Sequence, residues 1–300
     1  MKRAPICIFV YKNLQRVKTS IEILLECKDV ENHELYIFSD GYKGNFDKPL
    51  VYEVRNYIKN VKGFKKVNMI ESETNKGYNK QFLPMCDFVF SNFDYIMIND
   101  DDNIYGKFYL EFMDSALSKY KSCDKVYAVS SFLEKYINKN ELPNYFFSKC
   151  IHRNPSFGFY KRNFLLFKSM LNNINNVIFN LDKNKKREFE YLSGWNIIDF
   201  LRSGGLSIIS IDYLIFLNQF LHNKLSFFTK ENFVINKSTD GLGEYTPKND
   251  LLSCDNNLKS NFDANELPDK IEECELATKK IASFWELVSN KVFGRKLILD

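Results

Sequence analysis

Three consecutive carboxylates, Asp100, Asp101 and Asp102, follow the run Asp94-Tyr-Ile-Met-Ile-Asn99. Carboxylates this close repel one another unless something positive sits among them, usually a hard divalent cation with oxygen ligands. Tyr95 to Ile98 is apolar and β-prone, the composition of a central strand in a parallel sheet. Open α/β sheets place their ligands at the carboxyl ends of such strands. Mg²⁺ or Mn²⁺ held there keeps positions open for diphosphate oxygens, so a nucleotide or sugar nucleotide is the expected client. The competing reading is a solvated acidic turn opening the helix Gly106–Tyr120, because Asp is favoured near helix N-termini. An exposed turn would not need the apolar strand in front of it.

The elements that must position this turn alternate through the first half of the chain. Ile6–Tyr11, Glu34–Phe38, Val67–Ile70, Asp94–Ile98 and Lys125–Val129 read as strands. Leu14–Cys27, Val51–Val61, Asn79–Phe90 and Tyr109–Tyr120 read as the helices between them. This alternation predicts an α/β fold with a doubly wound, mostly parallel sheet flanked by helices, whose strand ends share one edge. The second half is less regular. Asn144–Phe159 reads as an aromatic-rich loop and Asn172–Lys186 as a mobile, Asn- and Lys-rich one. Phe189–Arg202 reads as one helix ended by Ser203-Gly204-Gly205, and Leu206–Ile211 as a strand. Residues 1–235 are expected to form the main domain, with a nucleotide half over 1–130 and an acceptor half over 131–235. Residues 236–265 read as a linker or long loop, and 266–300 as a helical extension.

With 300 residues, 45% hydrophobic content, 28 Phe and 17 Tyr, the chain can bury a large core and is not disordered. The net charge of +4 is mild and its basic residues are dispersed, which speaks against nucleic-acid binding. Seven scattered cysteines without a CxxC pair suit free thiols in a reducing compartment. The short apolar run near Met1 reads as a first strand rather than a signal peptide. No apolar segment approaches the ~18 residues of a membrane span. A cytoplasmic protein is expected.

Four segments in order carry a family resemblance: Ala4-Pro-Ile-Cys-Ile-Phe-Val-Tyr-Lys-Asn13 with Arg16; Phe38-Ser-Asp-Gly41; Asn75-Lys-Gly77; and Ser156-Phe-Gly-Phe159 followed by Lys161-Arg162. A fifth, weaker match runs from Gly194-Trp195 to Gly204-Gly-Leu-Ser-Ile-Ile209. Over roughly residues 4–222 the chain resembles GT-A glycosyltransferases, which hold a metal-bound nucleotide sugar with a DxD-type motif. The nearer likeness is to N-acetylglucosaminyltransferase I-like enzymes and related bacterial nucleotide-diphospho-sugar transferases. Two departures stand out. Asn99 occupies the Glu place of the family's Glu-Asp-Asp motif, and Ser193-Gly194 fall where the family carries an Asp pair that includes the general base.

The resemblance implies a hexosyl- or N-acetylhexosaminyltransferase with Mn²⁺ or Mg²⁺ as cofactor. Its partners would be a UDP-linked sugar donor and an acceptor in capsule, lipopolysaccharide or glycoprotein synthesis, with no nucleic acid. It points to Asp101 as metal ligand, with Asp102 and the late His222 as further ligands. Tyr11, Asn13, Arg16, Asp40, Asn75, Lys76 and Asp100 fall to the nucleotide sugar; Phe157, Phe159 and Trp195 fall to the acceptor. Several of these have plainer readings: Asp40-Gly41 as a turn-former, Tyr11 as a core residue, Arg16 as a surface cation and His222 as a structural histidine. Lys76 precedes a helix N-terminus, a place suited to anions.

An acceptor hydroxyl needs a carboxylate within hydrogen-bond reach, and Glu190 and Asp199 lie on the predicted helix around Trp195. Nine residues apart at ~100° each, they face opposite ways. Asp199, one turn after Trp195, is preferred, and residues 172–186 are a candidate lid. Lys279, Lys280, Lys291, Arg295 and Lys296 beside Phe284, Trp285, Val288, Val292 and Phe293 allow peripheral contact with the inner membrane surface, or simple packing on the domain. The rival functions are a nucleotidyltransferase, which would ordinarily show a Gly-rich first loop, and a non-catalytic sugar- or nucleotide-binding module of the same fold.

Overall fold

The computed structural model describes residues 3–151, 155–238, 249–252 and 257–298. Its centre is an eight-stranded sheet. The strands are β1 (Ile6–Val10), β2 (Glu34–Ser39), β3 (Lys66–Glu71), β4 (Tyr95–Asn99), β6 (Val126–Ser130), β7 (Tyr145–Ser148), β8 (Ser156–Tyr160) and β9 (Leu225–Thr229), in the spatial order β3-β2-β1-β4-β8-β6-β9-β7. A two-stranded antiparallel ribbon pairs β5 (Asn103–Tyr105) with β10 (Val234–Asn236) just beyond the β4 end. Only β7 and β8 run against the other strands of the large sheet. The carboxyl ends of β1, β2, β3, β4, β6 and β9 therefore share one edge, as a mixed and mostly parallel α/β sheet requires.

Helices cover both faces because the strands are apolar on both. In β4, Ile96 and Ile98 enter one core and Met97 the other, the alternation expected of a pleated strand. One core packs under α1 (Leu14–Leu24), α2 (Asp47–Lys59) and α4 (Tyr109–Tyr120). The other packs under α3 (Gly77–Phe90), α5 (Lys161–Asn172), α6 (Ile174–Phe179), α7 (Lys183–Ser193), α8 (Ile197–Arg202), α9 (Ile211–Leu221) and α10 (Glu275–Lys291).

The second half departs from the sequence reading in four places. The aromatic stretch expected to be a loop contains β7 and β8, each buried along its whole length. The expected mobile loop over 172–186 is mostly helical, and the Asp182 side chain caps α7 by accepting from the Asn184 and Lys185 N–H groups, so it is not an irregular loop. The single helix expected over 189–202 is broken at Gly194. That residue has φ +78°, and a Cβ there would lie 2.4 Å from the Glu286 nitrogen, so only glycine allows α10 to cross at this point. Finally, Leu206–Ile211 is a 3₁₀ turn leading into α9, whose start is capped by the Ser210 hydroxyl accepting from the Asp212 N–H.

The expected linker over 236–265 lies partly outside the described residues. Within them, Lys259 is buried and its ammonium donates to the Tyr145 hydroxyl at 3.2 Å. Helix α10 packs on α7 and β7, with Ala277, Ile281, Phe284, Trp285 and Val288 buried. Most of the apolar face proposed for membrane contact thus packs internally, while Phe293 stays 38% exposed. Among the described residues no helix is long and apolar enough to cross a membrane. Cys7, Cys27, Cys86, Cys123, Cys150 and Cys274 are free thiols; Cys254 lies outside the described residues.

Candidate functional site

Asp100 and Asp101 form the turn between β4 and β5, and the turn is held from below. The Asp100 N–H donates to the Pro155 carbonyl at 3.0 Å, and the Asn103 amide donates to the same carbonyl at 2.8 Å. Behind the turn runs a buried hydroxyl chain. Ser131 Oγ donates to Ser156 Oγ, Ser156 Oγ to the Tyr109 hydroxyl, and that hydroxyl to Asn99 Oδ1 at 2.8 Å. Asn99, in the family's Glu place, is thereby tied into the strand, and its buried Nδ2 has no hydrogen-bond partner.

The three carboxylates have different environments. Asp102 is buried; its Oδ2 accepts from Arg16 at 3.0 Å and its Oδ1 from the Asn236 amide. The Lys237 N–H donates to its backbone carbonyl. Asp102 therefore anchors α1 and the β5–β10 ribbon, and is corrected from metal ligand to structural anion. Arg16, expected on the diphosphate, spends its charge on this pair. Asp101 is half-buried and makes no ion pair or side-chain hydrogen bond to another described residue. Burial, and next the Asp102 charge, push its carboxyl up to about 7, against the pull of Arg16.

Among the described residues no three His, Cys, Asp or Glu side chains converge as a closed metal cage. The donor set at the turn fits the other kind of site, in which one or two carboxylates hold Mg²⁺ or Mn²⁺ and substrate phosphates and water complete the shell. Asp101, with Asp100 beside it, can supply those carboxylates. His222 cannot join them. It ends α9 just before β9, at the opposite edge of the sheet, with Nδ1 on the Asn218 carbonyl at 2.9 Å.

The residues expected at the nucleotide mostly hold their own loops together. Asn13 caps α1 through the Arg16 N–H. The Tyr11 hydroxyl donates to Asp47 at 2.7 Å, and Lys12 and Lys43 lie over the Tyr11 ring. Asp40 accepts from three backbone N–H groups, those of Gly41, Lys76 and Gly77, each at 2.9 Å. It fills the anion slot at the start of α3 and joins the β2 end to that helix. Asn75 donates to the Gly41 carbonyl, and a Cβ on Gly41 would meet the Thr74 backbone at 2.3 Å. The Lys76 side chain is exposed at the same loop. Sequence reasoning missed Arg55, a buried cation that binds the Ser39 hydroxyl, the Asp40 and Ser72 carbonyls and Glu71.

The acceptor assignments fail on burial. Phe157 and Phe159 are 2% and 0% exposed inside β8, and Trp195 is 4% exposed. Trp195 packs against Phe200 and Tyr213, with the Arg295 guanidinium 4.2 Å from its ring centre. The two proposed bases stand on different helices, so the opposite-face argument does not apply. Glu190 is 1% exposed; it accepts from the Ile198 N–H at 3.0 Å and pairs with Lys186. It is the cap of α8. Asp199 is exposed and paired with Lys186 at 2.8 Å. No hydrogen bond or ion pair among the described residues links either to the Asp100–Asp102 turn.

A different carboxylate does reach that edge. The Asn79 amide donates to the Ile209 carbonyl at 2.8 Å and its oxygen accepts from the Ile211 N–H at 3.1 Å. These bonds pin the start of α9 to the start of α3 and bring Asp212 beside Tyr78. Burial drives the Tyr78 phenol far up, and the Asp212 and Asp100 charges push it in the same direction. Asp212 and Asp100 thus both act on one tyrosine. The sequence signal was available: Ser210 two residues ahead of an acid, before an apolar run, is a helix start.

No family model matches the sequence, and no curated protein matches it. Among solved structures the chain is similar to the mannosyltransferase PcManGT from Pyrobaculum calidifontis in complex with GDP-Man and Mn²⁺, at 11% identity and TM-score 0.37 over 56% of this chain and 46% of that one. It is also similar to S. aureus TarS 1–349, at 12% identity and TM-score 0.38 over 56% of this chain and 48% of that one. The same TarS segment in complex with UDP-GlcNAc matches at 12% identity and TM-score 0.38, over 56% and 47%. The match therefore spans about half the length of these chains.

Proposed function

We propose that the protein is a glycosyltransferase that moves a sugar from a nucleoside diphosphate sugar, UDP-linked, to a hydroxyl of a glycan acceptor. The observation that carries this reading is Asp101, a carboxylate without an ion-pair or side-chain hydrogen-bond partner among the described residues, at the carboxyl edge of the sheet beside Asp100. The ordered motif resemblance over residues 4–222 supports it. Asp101 and Asp100 would hold Mn²⁺ or Mg²⁺, whose chemistry is to offset charge on the departing diphosphate. Lys76 adds a cation at the same edge. The Tyr11 and Asp40 loops shape the nucleotide end, Asp40 by fixing the backbone rather than by reading the base.

Asp212 takes the place of the missing family base. In a single displacement the acceptor oxygen bonds to the anomeric carbon and the bond from that carbon to the diphosphate breaks. The hydroxyl proton passes to Asp212, and the nucleoside diphosphate leaves. The test is calorimetry with UDP sugars in Mn²⁺ and in EDTA. Tight binding only with Mn²⁺, abolished in Asp101→Asn, supports the reading; equal affinity in EDTA refutes the metal role, and no binding of any nucleotide sugar refutes the function.

A further inference from the structure

The last described residues fold back onto the α7–α8 junction and α9. Helix α10 ends beside the α7–α8 junction, and Gly294, with φ +64°, turns the chain back. The strap that follows is fastened at both ends of its contact. The Arg295 N–H donates to the Ser289 carbonyl at 2.8 Å, and the Asn196 N–H to the Lys296 carbonyl at 3.1 Å. Asn196 also exchanges two hydrogen bonds with the Ile298 backbone, at 2.7 and 3.0 Å. This anchoring sets the Arg295 guanidinium over Trp195 at 4.2 Å, with the Phe293 and Tyr213 rings at 5.0 and 6.0 Å.

Two features make this more than a packing contact. No described carboxylate pairs with Arg295, whose side chain instead hydrogen-bonds the Tyr213 phenol. Arg295 also lies next to the candidate base. Burial raises the Tyr213 phenol, Arg295 pulls it down and the neighbouring Asp212 pushes it up. The guanidinium is thus 6.0 Å from the ring of Tyr213, the residue that follows Asp212 in α9. A stacked guanidinium keeps its N–H fork in one plane, suited to two oxygens of a carboxylate or phosphate. Lys291 and Lys296, both exposed, add positive charge along the strap.

From the strap's placement of Arg295 between Trp195 and Tyr213 we infer that the acceptor is an anionic sugar, whose carboxylate or phosphate binds Arg295 while its nucleophilic hydroxyl faces Asp212. The inference rests on the transferase reading for Asp212 but can be tested without donor or metal. Saturation-transfer NMR on the full chain would compare methyl glucuronide, glucose 6-phosphate and methyl glucoside. One or both charged sugars should bind at least about ten-fold more tightly than the glucoside, and which of them does so identifies the anion. R295Q should erase that preference, R295K should restore it in part, and 0.5 M NaCl should weaken it. Unchanged thermal melting of R295Q keeps the comparison fair. Equal binding of charged and neutral sugars, or an unaltered preference in R295Q, overturns the inference. Retained anion binding in a protein that takes no nucleotide sugar would instead refute the transferase reading alone.

Discussion

Removing the candidate metal ligand should make the metal-free protein more stable, an outcome opposite to that of most buried-site substitutions. In the fold, burial and Asp102 raise the Asp101 carboxyl from 3.8 to about 7. The folded chain therefore holds this proton more tightly than the unfolded chain does. The resulting cost is absent below about pH 4, grows as pH rises to about 7 and is constant above that. Three pH units correspond to roughly 4 kcal/mol at 1.36 kcal/mol each, and solvent reaching the half-buried carboxylate reduces this to about 1–3 kcal/mol. Asp101→Asn keeps the shape and removes the charge. Urea unfolding in EDTA should find the variant about 1–3 kcal/mol more stable than the parent at pH 8, and equal to it near pH 4. With Mn²⁺ at about a hundred times its dissociation constant, the parent gains roughly 2.7 kcal/mol by mass action, and the variant gains little. A variant less stable than the parent at pH 8 in EDTA, or equal Mn²⁺ stabilisation of both proteins, would refute the argument.

Asp212→Asn should lower turnover by ~10²–10⁴-fold with donor affinity retained, whereas Asp199→Asn, which leaves Lys186 paired with Glu190, should leave turnover within about two-fold; steady-state rates alongside donor calorimetry separate the two. Asp40→Ala strips three backbone N–H groups of their acceptor and should cost at least about 2 kcal/mol, read as a lower urea midpoint, so any loss of nucleotide affinity should follow the loss of fold. Asn79→Ala removes both hydrogen bonds that pin α9 to α3, and should reduce kcat far more than it changes stability or donor binding; an unchanged kcat would separate Asp212 from the reaction.

The first half of the chain was legible because its signals are local. Strands β1 to β4 are short apolar runs between amphipathic helices, and the Asp100–Asp102 turn follows the strand that gives it meaning. The fates of those carboxylates were not legible, since Asp102 meets Arg16 and Asn236 from segments 86 and 134 residues away. Asp40 was read as a ligand because its partners, the Lys76 and Gly77 N–H groups, belong to a helix 36 residues on. His222 was misplaced for a related reason: chain order says that it follows the site, but the sheet direction puts it at the far edge.

The second half misled where a residue type had two readings. Aromatic density around Phe157 and Phe159 suggested a sugar platform, yet β8 is paired on both sides by β4 and β6 and cannot turn those rings to solvent. Gly194 is a helix breaker by residue type, and the break it makes puts Glu190 and Asp199 on different helices. Reading Leu206–Ile211 as a strand then hid the helix start at Ser210 and with it Asp212. The physical link is Asn79. Because Asp40 locks the start of α3 and Asn79 ties that same turn to α9, the loop after β2 and Asp212 share one support. The two halves of the chain thus meet at the first turn of α3, where donor and acceptor would also have to meet.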